Sequence, residues 1–272
     1  MCVRGRSLRG HVLAEGSLTG HGTNAVYDEV SMIVANVRRM LRRDDAQLVL
    51  RLMARGSQSE YEEAESVLRD RGLDELLDDP RLPDALREAR QGGHASYPLF
   101  SYVVVRHALR AVGEEDRAMA DYVASILLHF GLRDRAQRVG DVDDEVYGTL
   151  TDILGAANGP DPRRTLHARA HVGNYALWLS GMFPDYVAAR QRRRGAPDLD
   201  YYEEMGRHGF RLAAEHQLAR EQGLASLYAA ASERFLMLRI ALNRVSDAYL
   251  FPKNNSPDRL LRQVRDEMRL PS

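Results

Sequence analysis

The segment that follows Pro162 carries the residues whose types and spacing come closest to chemistry. His167 and His171 lie four residues apart, Asn174 follows three later and Trp178 four after that, so on a helix all four project along one stripe. Two imidazoles at this spacing are half of a metal-ligand set, to be completed by carboxylates from another helix. The same side chains also suit a plainer role, as hydrogen-bonding residues beside a core face. Leu166, Ala170, Gly173, Leu177 and Gly181 form the neighbouring stripe, and its small members would let a second helix pack closely.

The linear motifs that would complete such a site are missing. Carboxylate-bridged metal bundles use Glu-x-x-His on two helices so that an oxygen and an imidazole reach one ion. Here Glu204 precedes His208 by four residues, and Glu215 is adjacent to His216. The His-Glu-x-x-His pattern and a lysine-containing phosphate loop are also absent. His216 follows Met205, Gly209 and Leu212 on one face and reads as a buried, hydrogen-bonded histidine. Its alternative role is axial ligation of haem, without a Cys-x-x-Cys-His attachment sequence. No cofactor is predicted; the alternative is a metal ion or haem centred on His167, His171, Asn174, Trp178 and His216. His107, beside Arg106 and Arg110, fits either anion recognition or a packed helix margin with arginines reaching to water.

Nucleophilic catalysis has less support. There is no Gly-x-Ser-x-Gly elbow, and the sole cysteine is Cys2. Tyr202, Glu203, Glu204 and Glu145 are proton-transfer groups by type, but Glu203 and Glu204 are well explained as acidic residues near a helix start. The single cysteine excludes an internal disulfide and multi-cysteine zinc modules, and it points to a reducing, cytoplasmic setting.

The 272 residues carry 38 basic and 39 acidic side chains, which removes the global positive charge typical of polyanion binders. Lys253 is the one lysine and every other basic residue is arginine, a bias that lowers the weight of any one arginine cluster. Two clusters nonetheless suit phosphate: Arg38, Arg39, Arg42 and Arg43 as polar positions of a first helix, and Arg190, Arg192, Arg193 and Arg194 before Gly195. The acidic stretch between Glu60 and Glu88 favours paired surfaces over a nucleic-acid site. No membrane span is expected, because the apolar run Tyr97–Val112 is interrupted by Arg106, His107 and Arg110.

The elements that must position these residues are helical throughout. Apolar residues recur at helical spacing from Asn24 to Arg43, and further helices are expected around 45–55, 58–71, 98–112, 114–130, 141–157 and 162–181, with short turns over 73–93. Ser57 or Ser59, and Asp161, stand where N-caps are needed, with Pro98 in a first turn and Pro162 at a first helical position. Two long helices, about 199–222 and 225–249, are expected to pair as the centre. A closing helix from Pro257 to Arg269 is expected to expose Arg259, Arg262 and Arg265 around apolar Leu260, Leu261, Val264 and Met268. This reading yields an all-α, compact, bundle-like domain of roughly ten helices over 24–272, divisible into 24–157 and 161–272, after an irregular tail over 1–23. Its functional default is an interaction or regulatory protein that meets a protein partner or a second copy of itself. The alternatives are a metal- or haem-binding helical enzyme and a nucleic-acid binder using Arg38, Arg42, Arg192, Arg193 and Arg194.

Overall fold

The computed structural model describes residues 32–90, 95–131 and 160–270. The expected tail over 1–23, the start of the first helix, the helix over 141–157, Cys2 and Glu145 all lie outside them. The described residues belong to one unit, Met32–Ser272, and are all-α, with no strand among them. In chain order they form α1 (Val37–Met40), α2 (Arg43–Ala54), α3 (Gln58–Arg71), α4 (Leu73–Leu77), α5 (Leu82–Arg90), α6 (Tyr97–Arg110) and α7 (Arg117–Gly131). Then follow α8 (Pro162–Met182), α9 (Pro184–Arg194), α10 (Leu199–Ala214), α11 (Gln217–Glu221), α12 (Ala225–Glu233), α13 (Phe235–Val245), a π turn (Ser246–Leu250) and α14 (Pro257–Arg269).

Local chemistry sets most of the boundaries. Ser57 Oγ accepts from the Glu60 amide and Ser96 Oγ from the Leu99 amide, while Asp161 Oδ1 accepts from Arg163 at 2.9 Å. Gly72 ends α3 at a φ of 87° and Gly195 ends α9 at 62°, backbone conformations that disfavour a side chain. The Val103–Val105 run is helical and buried.

The chain breaks its helices more often than the periodicity suggests, for reasons that lie far away in sequence. Among the described residues the first expected helix is represented by α1, and Leu41, with a ψ of 134°, separates it from α2. The amide of Arg38 is drawn to Asp121 Oδ1 on α7 at 2.8 Å, and Asp45 accepts from the Arg42 amide to open α2. The long helix expected over 199–222 stops at Ala214, and His216 restarts it as the N-cap of α11. The next one is interrupted at Arg234, whose guanidinium reaches Glu114 at 2.7 Å.

The centre is α8, not the pair expected over 199–249. It packs most extensively against α10 and also against α13. Glycines make the first approach close: a Cβ on Gly209 would sit 2.8 Å from the Gly173 nitrogen and 2.9 Å from the Arg169 carbonyl oxygen. A Cβ on Gly173 would meet the Phe210 ring at 2.5 Å. Within the small-residue stripe of α8, Gly173 thus lies at the seam with α10, whereas Gly181 faces α13, where an added Cβ would sit 2.7 Å from Leu242. In the N-terminal half a different device joins elements. Asp78, just after α4, accepts from Arg106 Nε at 2.8 Å and Arg117 Nη2 at 2.7 Å, while its carbonyl accepts from Arg110.

Candidate functional site

The histidine stripe lies along α8, and its members have separate employments. Asn174 is buried and its Oδ1 accepts the Tyr122 hydroxyl at 2.6 Å. Burial, then the neighbouring Tyr228, pushes the Tyr122 hydroxyl well above its ordinary pKa, so it remains a donor. Trp178 stacks on Phe130 with centroids 5.0 Å apart and meets Phe183 edge-on at 5.1 Å. Half-buried His171 lies against Phe130 and Tyr175. His167 is half-buried one turn earlier on the same helix. His216 stands on another element, where its Nδ1 accepts from the Leu218 amide at 3.2 Å. Partial burial and the charges of Arg169 and Arg220 lower its pKa. Among the described residues no group of three or more His, Cys, Asp or Glu side chains is placed to hold a metal ion.

The arginines of the two basic clusters have mixed surroundings. Arg38 bonds Asp74 at 2.8 Å and lies 5.9 Å over the Tyr102 ring, so it serves as a bridge from α1 to α4 and α6. Arg42 is exposed and, as the residue before α2, shares no helix with Arg38. Arg192 pairs with Asp258 on α14, and Arg193 Nε donates to the Ala189 carbonyl. Arg192, Arg193 and Arg194 are all exposed.

A larger assembly of charge, built around Arg239, is the feature that motif reasoning missed. Arg239 on α13 is 1% exposed. Its Nε lies 2.7 Å from Glu203 Oε1 on α10, its Nη2 donates to Asp266 Oδ1 on α14 at 2.5 Å, and its Nη1 donates to Asn243 Oδ1 at 2.6 Å. Asn243 in turn donates to the carbonyls of Ser180 and Gly181, and the Ser246 hydroxyl donates to that of Met182. These are terminal carbonyls of α8 that lack helical partners. Side chains of α13 and the π turn therefore cap α8 while the same Asn243 receives the buried guanidinium.

From this centre the seam runs along one face of α14. Arg259 bonds Asp185 at 3.1 Å and the Phe251 carbonyl at 2.7 Å; Arg262 grips Asp247 at 2.8 and 3.0 Å; Arg269 grips Glu203 at 2.7 and 3.1 Å. Their spacing, with Asp266, keeps all four on the inward side of the helix. The guanidiniums of Arg239, Arg259, Arg262 and Arg269 face the carboxylates of Asp185, Glu203, Asp247 and Asp266. With Asp200, exposed and 3.5 Å from Arg269, four guanidiniums face five carboxylates, and each buried charge meets an opposite one, the condition under which buried charge is tolerated.

The outward side of α14 is the reverse of the expected arrangement. Arg259 is buried and Arg262 half-buried, whereas Leu260, Leu261, Val264 and Met268 are 55%, 70%, 58% and 76% exposed. Only Arg265 of the three arginines expected outside is there. The physical reason is partner supply: Asp185, Asp247 and Glu203 come from remote segments, and a guanidinium with two or three oxygen partners gains more from the interior than a leucine with no cavity to fill. Beside the helix, an open cleft of about 1020 Å³ mixes Glu204 with Arg207, His208, Arg211 and Arg265, so it presents no field of single sign to a charged ligand. No helix among the described residues is long and apolar enough to cross a membrane.

No family model, curated protein or solved structure matches the chain.

Proposed function

We propose that this chain is a helical interaction protein that engages a protein partner through the outward face of α14. The observation that carries the reading is the inversion of that helix. A contiguous row of four large apolar side chains faces water on an element whose opposite face is bound by ion pairs to α9, α10, α13 and the π turn. Scattered exposed leucines are ordinary, but a continuous apolar row on a firmly held helix costs solubility unless something covers it. Helix-in-groove and helix-on-helix recognition use such rows, with anchors at i, i+3, i+4 and i+7; Leu261, Val264 and Met268 stand at i, i+3 and i+7, with Leu260 beside them.

Hydroxyl-radical footprinting tests the reading. Modification of Leu261, Val264 and Met268 is compared between dilute purified protein and the same protein at native abundance in extract of its own cells. The expected result is strong modification in the dilute sample and protection of these residues in extract. Equal modification in both overturns the proposal.

A further inference from the structure

We infer that the partner of α14 is α14 of a second copy, laid antiparallel across a two-fold axis that passes between Arg262 and Gln263. The inference rests on the interaction reading above and adds the identity and geometry of the partner.

Three observations lead to it. First, Leu261, Val264 and Met268 follow a three-then-four spacing, the seam of two helices packed lengthwise, with Leu260 widening it on one side. Second, the other flank of the seam carries one acid and one base two turns apart, Asp258 and Arg265. An antiparallel copy reverses their order, so Asp258 meets the partner's Arg265 and Arg265 meets the partner's Asp258, while Leu261 faces the partner's Val264. A parallel copy aligns like with like along the helix and loses both pairs. Third, charge is left over at one position. Arg259, Arg262 and Arg269 are bound to carboxylates within the protein, whereas Arg265 is exposed and makes no ion pair among the described residues. Asp258 is also exposed, and its internal partner Arg192 is itself at the surface. A bare basic residue at the margin of an apolar row, with a reachable acid at the mirror position, is a self-complementary pattern of the kind a two-fold interface requires.

The helix is about 20 Å long, so the paired surface lies at the small end of specific interfaces and the dimer is a concentration-dependent one. Charge reversal probes it without touching the apolar row. Sedimentation of the purified full chain is expected to show a reversible monomer–dimer equilibrium. Arg265→Asp and Asp258→Arg each place two like-charged pairs across the axis and are expected to weaken the dimer by about tenfold or more. An equimolar mixture of the two variants restores both opposite-charge pairs and is expected to form a heterodimer at least as tight as the unmodified dimer. Circular dichroism melts of each variant establish that it is folded.

A purified chain that stays monomeric up to high concentration overturns this inference. If its α14 row is nevertheless protected in extract, the interaction reading stands with a different partner; if it is unprotected there as well, both fall. Variants that dimerise but fail to recover on mixing overturn the antiparallel arrangement. Binding of monomer to anionic phospholipid vesicles, with no dimer, also overturns it by assigning the row to a lipid surface.

Discussion

Helices α8 and α14 solve the same packing problem with opposite materials. The first buries Leu166, Ala170, Leu177 and Trp178 and uses Gly173 to bring α10 into near-contact; the second buries Arg259 and Asp266 and leaves its leucines outside. Apolar burial is non-directional and roughly proportional to area. The ionic seam is directional, because each guanidinium must meet a particular carboxylate. The difference implies that α8 holds the fold together, whereas α14 is fixed in orientation so that its other face can be presented.

The contrast can be broken first at Arg239. Arg239→Ala leaves Glu203 to Arg269 alone and takes from buried Asp266 its nearest cation, and a loss of about 3–5 kcal/mol is expected in denaturant titration. Hydrogen exchange should show α14 opening ahead of α8. The matching change on the apolar helix, Leu177→Ala, removes a fully buried side chain of α8 and is expected to cost about 2–5 kcal/mol. Gly209→Ala follows, since its Cβ has unyielding backbone of Gly173 and Arg169 in its way as well as Val172; overpacking of about 1–3 kcal/mol is expected.

How far these seams are legible in sequence depends on the range of the forces that make them. The caps at Ser57 and Asp161 are local and readable, and so is the glycine-bearing stripe of α8. The interruptions at His216 and Arg234 are not, because one depends on how the chain turns into α11 and the other on Glu114, distant in sequence. The orientation of α14 was hidden for the same reason. Its two faces are plain in the periodicity, but which one is inward depends on Asp185, Glu203, Asp247 and Arg239 converging from other helices. One signal was present: Arg259, Arg262, Asp266 and Arg269 place charges of both signs on one face, which suits an ionic seam better than a solvated flank. In the histidine stripe, spacing placed four residues on one helix correctly but could not show that Tyr122 and Phe130 would engage Asn174 and Trp178.

Acidity sharpens the comparison at smaller scale, because it acts on ionic joints and leaves apolar ones alone. Burial alone would raise the Asp78 carboxyl, but hydrogen bonds from Arg106 and Arg117 outweigh it and bring its pKa from 3.8 to about 2. A lowered folded-state value means that its contribution is full above 3.8 and is lost as pH falls through about 2. Burial also lowers His107, whose Nε2–H donates to the Leu77 carbonyl at 2.9 Å. Its contribution is full above the ordinary 6.5 and declines below it. Denaturation followed from pH 7 downward should therefore show a shallow loss below 6.5 that His107→Gln flattens, and a later one absent from Asp78→Asn.

The smallest expected effect is the most pointed: Leu261→Ala should change monomer stability by no more than about 0.5 kcal/mol, in contrast to Leu177→Ala. The claim beneath all of these is that α14 faces outward with its apolar side, and methionine oxidation reads it without any substitution. In dilute, monomeric protein treated with peroxide, Met268, 76% exposed, should oxidise at close to the rate of free methionine, while Met182 and Met119, 2% and 0% exposed, lag by about tenfold or more. A Met268 as protected as Met182 under those conditions would contradict the account.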